Sequence, residues 1–418
     1  MLGRNKIQKN QFFAKIFMFF SIIGPGLITA NIDNDAGGIA TYSLAGAHTG
    51  LRLIWILIPI TIALIIVQEM SARMGIVSGK GLADLIRERF GLKITFYTLF
   101  FLIYADLGNT MAEFAGIASA GEIFGISKYI SVPLCGAFVL LLILKGDYKI
   151  VERFFLAGCL VYLSYVISGF YIAPDWSEIS SALVKPDFKS IKPSDYAIIV
   201  GLIGTSITPW MQFYIQAAVV EKELETKHLL HNKIDVIVGC ITMSIVTLFI
   251  IICCAATIYI AGGQVTSAKD AALALKPLAG EHAMTLFGIG LFNASIFSAA
   301  LLPLATSYYV CEGMGWERGV DKHFKDAPQF FSIFISLVAF SITLVLIPNV
   351  NLFNILILSQ IINGIFIPVV LFFIIKLCND PEIMGEYTNS TIYNMFCYSI
   401  VFVMALANIM MIYYEIIK

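Results

Sequence analysis

Near the start of this chain, two carboxylates and two amides interrupt an apolar stretch: Asn31, Asp33, Asn34 and Asp35, followed at once by Ala36-Gly37-Gly38. They stand in the middle of a segment, 17–46, long enough to cross a bilayer, for which a helix needs roughly 20 apolar residues. An ionised side chain at that depth is costly unless it meets a partner, a cavity or an ion. The paired glycines weaken the helix beside the carboxylates and free backbone carbonyls. Carboxylate and carbonyl oxygens gathered at a helix break suit a cation, and that is the chemistry this stretch can do.

A second interruption lies in the segment 195–220, where Gly201, Gly204, Thr205, Ser206 and Thr208 precede Pro209-Trp210-Met211. Proline lacks an amide hydrogen and clashes with the preceding turn, so the helix kinks or breaks at Pro209. The two interruptions are five spans apart. Matching breaks in two halves point to an inverted-repeat transporter with its site between them at the midplane. Two kinked helices without a ligand are the plainer reading; the carboxylates at the first break favour a site.

The elements that must position these residues are spans. The chain has 418 residues, of which 59% are hydrophobic and only 13% charged, with a mean hydropathy of +0.86. That composition excludes an ordinary soluble domain and implies one polytopic all-α membrane domain. Apolar segments fall at about 17–46, 51–72, 94–124, 128–145, 151–173, 195–220, 235–262, 283–311, 328–348, 351–377 and 391–416, eleven in all. Most of the 27 Lys and Arg residues lie on one side of that arrangement. The bias places a tail, 1–16, in the cytoplasm and the C-terminus outside, in a multi-pass plasma-membrane protein. The tail leads into a long span without a small-residue cleavage site, so it is not read as a removable signal. The net charge of −1 and the lack of a basic block give no support for a nucleic-acid partner. Eight cysteines, without a Cys-x-x-Cys pair, read as buried thiols.

Other polar residues sit within spans. Asp106 and Glu113 are seven apart and share a helix face, either lining an aqueous pathway or pairing with other helices. Gln360 and Asn363 share a face of the tenth span; their amide oxygens suit a hydrated cation, and an interhelical hydrogen bond is the alternative. Gly75-Ile76-Val77-Ser78-Gly79-Lys80-Gly81 is one residue short of a phosphate-binding loop and lacks its Ser or Thr. No hydrolytic motif is present, so an enzyme is not expected.

With these residues in view, the chain resembles the NRAMP family of divalent metal-ion transporters. Gly24-Pro25-Gly26 through Ala40-Thr41 and Gly50 is similar to the family's first helix. Ala72 to Ala83, Ala112-Glu113-Phe114 and Ser359-Gln360 match further stretches. The resemblance implies a LeuT-like fold: two inverted five-helix repeats, about 17–173 and 195–377, plus an extra helix at 391–416, with the first and sixth helices broken. It also implies a transported divalent ion rather than a resident cofactor.

The departures define what the resemblance implies about specificity. The family's Asp-Pro-Gly-Asn motif reads Asp35-Ala36-Gly37-Gly38, so Asp35 keeps the place of the metal-binding aspartate and Gly38 replaces an asparagine ligand. The Met-Pro-His motif reads Thr208-Pro209-Trp210: Thr208 replaces a thioether, and Trp210 a histidine associated with proton coupling. Thr110 replaces a second acid of the third span, and the ninth span carries no arginine. Loss of a soft sulfur ligand removes a preference for transition metals over hard ions. The pattern is similar to the NRAMP-related magnesium transporter branch, so the expectation is an uncoupled carrier of Mg2+, with Mn2+ tolerated, acting as a monomer. Asp35, Asp33, Asn34, Thr205, Thr208 and Gly38 would form the site, with Gln360 and Asn363 holding ion-bound water. A proton-coupled Mn2+/Fe2+ carrier is the rival, kept alive by Met211; a LeuT-like amino-acid carrier is disfavoured by the repulsion that the two aspartates would exert on a substrate carboxylate.

Overall fold

The first described helix, α1 (Ala36–Thr49), begins in the middle of the segment expected to be the first span. Asp35, immediately before it, has extended backbone, φ −66° and ψ −177°, and its carboxylate caps the helix. This computed structural model describes residues 34–145, 163–172, 174–276 and 280–417. Asn31, Asp33, Cys159, the first half of the first expected span and most of the fifth therefore lie outside the described residues.

The chain continues through α2 (Leu57–Ser78), α3 (Leu82–Ile123), α4 (Lys128–Lys145), α5 (Leu163–Ile172) and α6 (Trp176–Val184). The second interrupted segment forms α7 (Tyr196–Ser206) and α8 (Pro209–Glu221), followed by α9 (Leu229–Cys254), α10 (Ala283–Met314), α11 (Pro328–Val345), α12 (Leu352–Cys378) and α13 (Thr391–Ile417). Among the described residues, nine helical segments are long and apolar enough to cross a membrane. The two other expected spans are those only partly described. α3 and α10 pack along each other, with α11 and α12 also against α3, and α1 and α7 lie against α12.

Several boundaries differ from the sequence expectation. The third span does not begin near residue 94: the helix starts at Leu82 and bends at Gly91, whose φ of 83° suits glycine. Charged residues made 82–93 read as a loop, but a helix outside the hydrocarbon can carry them, and Arg89 pairs there with Asp380 at 2.8 Å. The seventh span starts at Leu229 and ends in a π-turn, Ala255–Tyr259. The first span runs on to Thr49, so His48, between the expected segments 17–46 and 51–72, occupies the last turn of α1.

Close helix approach follows from small residues. A Cβ on Gly46 of α1 would lie 2.5 Å from the Ile251 carbonyl oxygen of α9. At the end of the molecule carrying Arg73, that guanidinium pairs with Glu69 (Nε to Oε1, 3.0 Å) and donates to Asn389 Oδ1 at 2.6 Å and to the Tyr387 carbonyl. Tyr393 donates to Glu69 at 2.8 Å, so the cluster ties α2 to the start of α13. Arg73→Ala strands Glu69 at 14% side-chain exposure and is expected to cost about 3 kcal/mol, read as a lowered unfolding temperature of detergent-solubilised protein; an unchanged temperature would show the clamp to be inert.

Candidate metal-ion site

Asp35 is 4% exposed. Its Oδ1 accepts the Gly38 amide at 2.6 Å, and its carbonyl accepts from Ile39 at 2.9 Å. A carboxylate at a helix N-terminus is favoured by the partial positive charge there. This one is therefore pre-aimed at low entropic cost, with its remaining oxygen lone pairs unspent by the cap. Gly38 supplies a backbone donor that orients the acid. Glu113 of α3 reaches the same helix start: its Oε2 accepts the Ala36 amide at 3.3 Å, and its carboxyl group adjoins that of Asp35.

The break between α7 and α8 is confined to Ile207 and Thr208. Its cause is local. Pro209 occupies the first position of α8 and has no amide hydrogen, so the Thr205 carbonyl loses the α-helical donor four residues on. The C-terminal end of α7 thus presents carbonyl oxygens and a negative dipole end, both favourable to a cation. The Thr205 and Thr208 hydroxyls are buried and, among the described residues, have no hydrogen-bond partner. A buried hydroxyl without a partner is costly, and water or an ion can satisfy it.

Packing brings the two breaks into one region. Tyr42 of α1 lies 3.4 Å, hydroxyl to hydroxyl, from Ser206 at the end of α7. Gln360 of α12 sits between them: a Cβ on Gly37 would fall 2.0 Å from Gln360 Nε2, and one on Gly204 2.0 Å from the Gln360 carbonyl oxygen. Asn34 Oδ1 accepts from Thr247 of α9 at 3.4 Å, while its buried Nδ2 has no hydrogen-bond partner among the described residues.

Gln360 and Asn363 make scaffold hydrogen bonds, the alternative in the sequence reading to holding ion-bound water. The Gln360 Oε1 accepts from Asn363 Nδ2 at 3.1 Å, and Asn363 Oδ1 accepts from Asn109 at 3.0 Å. Both amide oxygens, the atoms a hydrated ion would use, are engaged within the scaffold, because each has a polar partner from a neighbouring turn or helix. Asp106 is also drawn into the scaffold, accepting from Tyr309 at 2.5 Å and Thr306 at 2.8 Å. Met211 points to α2, where Gln68 Nε2 lies 2.7 Å from its sulfur. Trp210 is buried against Tyr214, ring centroids 6.2 Å apart. Gln68 and Gln212, both completely buried and each with one polar atom that has no partner among the described residues, escaped the sequence reading; an isolated glutamine in the apolar second span and another three residues past Pro209 were the available signals. Among the described residues no three His, Cys, Asp or Glu side chains gather as a closed metal cage. An ion held here would thus rest on one or two carboxylates with hydroxyls, carbonyls and water.

The architecture built around these residues is that of the LeuT-like transporters. The nucleobase-cation-symport transporter Mhp1 superposes with a TM-score of 0.61 at 14% identity, over 94% of this chain and 90% of that one. The manganese transporter of Eremococcus coleocola superposes with a TM-score of 0.78 at 18% identity, over 93% and 85%. In sequence, the divalent metal cation transporter MntH of Erwinia tasmaniensis is 27% identical over 403 residues, 93% of either chain. Residues 26–414 match the family described as natural resistance-associated macrophage protein-like. The chain belongs to this Nramp family, a multi-pass membrane transporter family and not an enzyme family.

Proposed function

We propose that this protein carries divalent metal cations across the plasma membrane by alternating access, with an oxygen-lined site that takes Mg2+ as well as Mn2+. The observation that carries the reading is the Asp35 carboxylate, buried and oriented by the Gly38 amide, in the region where Thr205 and Thr208 present unpartnered hydroxyls. No thioether stands at position 208, so hard, partly hydrated ions are not disfavoured. An inside-negative potential would drive uptake with about 2.3 kcal/mol per charge per 100 mV, and twice that for a divalent ion. The repeats run over about 17–173 and 195–377, the protein acts as a monomer, and its N-terminus lies in the cytoplasm, where most Lys and Arg residues gather.

The test is uptake into proteoliposomes under an imposed potential, with and without a pH gradient. Millimolar Mg2+ should enter and compete with Mn2+, and the lumen should not acidify. One feature favours a second reading, a proton-coupled Mn2+/Fe2+ carrier: Glu113 adjoins Asp35 and could hand over a proton as the ion arrives. Mn2+-driven proton influx would establish that reading and remove the uncoupled one. Thr208→Met restores a soft ligand and is expected to raise the Mn2+ over Mg2+ preference about tenfold; an unchanged ratio would remove residue 208 from the ion's surroundings.

A further inference from the structure

The buried polar groups beside the site form one continuous chain with a direction. Asp106 Oδ2 accepts from Tyr309 at 2.5 Å and Thr306 at 2.8 Å, and Oδ1 accepts from Asn109 Nδ2 at 3.2 Å. Asn109 and Asn363 exchange two hydrogen bonds, Asn109 Nδ2 to Asn363 Oδ1 at 3.0 Å and Asn363 Nδ2 to Asn109 Oδ1 at 2.9 Å. Asn363 Nδ2 also donates to Gln360 Oε1 at 3.1 Å. Gln360 Nε2 is left facing Gly37, two residues past Asp35, and donates to Ser359 at 3.2 Å. Asp106, Asn109, Gln360 and Asn363 are each at most 1% exposed.

We propose that Asp106 is a positioning residue that, through Asn109 and Asn363, fixes which end of the Gln360 amide faces the break of the first helix. The reason is the donor inventory. An ionised carboxylate only accepts, whereas an amide both donates and accepts, with little steric difference between its two ends. Reversing Asn109 would set its amide oxygen against the Asp106 carboxylate oxygen, two acceptors with no hydrogen between them. With Asn109 held, Asn363 must offer its oxygen to Asn109 Nδ2 and its nitrogen to both Asn109 Oδ1 and Gln360 Oε1. Gln360 is then forced to give its oxygen to the scaffold and its NH2 to the break. An NH2 group does not ligate a cation; it can hold the Asp35 carboxylate or a freed carbonyl in place. The chain thereby withholds one oxygen from the ion and leaves room for its water.

Asp106→Asn removes the acceptor-only terminus, so the amides can reverse and Gln360 can present oxygen. The expected result is a change of about threefold or more in the KM for Mn2+, with kcat less affected, and a shift of the Mn2+/Mg2+ ratio toward Mn2+. The same effect should be absent when Asp106→Asn is placed in a Gln360→Ala background. Asn109→Leu cuts the chain in its middle, leaves Asp106 its two hydroxyl donors, and should give the same KM shift if Asp106→Asn does not fold. The same double-mutant cycle is read by unfolding temperature in detergent, which requires no transport. Equal effects of Asp106→Asn with and without Gln360, in both readouts, would overturn the proposal. The KM readout rests on the transport reading: absence of uptake by all variants and wild type would defeat that reading, while the unfolding cycle would still decide the relay.

Discussion

Asp35→Ala is expected to lower Mn2+ and Mg2+ uptake at least 100-fold, or about 2.8 kcal/mol. The size follows from charge. A divalent ion within 4 Å of a carboxylate gains about 4 kcal/mol per unit charge at an effective dielectric near 20, set against lost hydration. Fold and function can be separated at this position. Asp35 also caps α1 through the Gly38 amide at 2.6 Å, and losing a cap costs about 1 kcal/mol. Asparagine caps as well as aspartate, so Asp35→Asn should retain the unfolding temperature of the wild type and still lose uptake. Proteoliposome flux and thermal unfolding, measured on both variants, give the answer. Undiminished uptake by Asp35→Asn would sink the assignment of Asp35 as the ion's anchor.

The second large effect is structural. Gly204→Ala should prevent α7 from seating on α12, costing about 3 kcal/mol or more. A Cβ there would lie 2.0 Å from the Gln360 carbonyl oxygen and 2.4 Å from the Gly364 nitrogen. Both atoms are backbone, so no rotamer change relieves the clash. Gly201, one turn earlier, is the control: its nearest neighbour would be a Thr41 methyl at 3.4 Å, ordinary contact. Size-exclusion profiles and unfolding temperatures should show Gly201→Ala close to wild type and Gly204→Ala strongly destabilised. Equal stability of the two would mean that this helix contact is looser than described.

The breaks were readable from residue types alone because their causes are local. Pro209 lacks an amide hydrogen wherever it stands, and Asp35 is an N-cap whose helix begins with the residue after it. Span limits were less readable. Leu82 to Phe90 carries Asp84, Arg87, Glu88 and Arg89 and so resembled a loop, but Arg89 finds Asp380 and Glu382 from distant sequence. Hydropathy registers solvent preference, not helicity, and a charged helix extending past the membrane is invisible to it.

The two glutamines of the second and sixth spans show the same limit. Gln68 and Gln212 are single polar residues in apolar runs, and only the approach of α2 to α8 gives them Met211 and Ser71 as neighbours. Glu113 was recognisable as a buried acid, but its contact with the start of α1 joins residues 77 positions apart.

By itself, the sequence determined a membrane-embedded bundle of helices, two broken spans and an acid at the first break, since hydropathy, proline chemistry and capping act within a few residues. Tertiary structure decided which atoms face that break. Gln360 and Asn363 each carry an oxygen and a nitrogen on nearly equivalent ends, and nothing within their own helix chooses between them. The choice depends on Asn109 and Asp106, 254 and 257 residues from Asn363 in the chain, because a carboxylate accepts a hydrogen bond from an amide nitrogen and repels an amide oxygen.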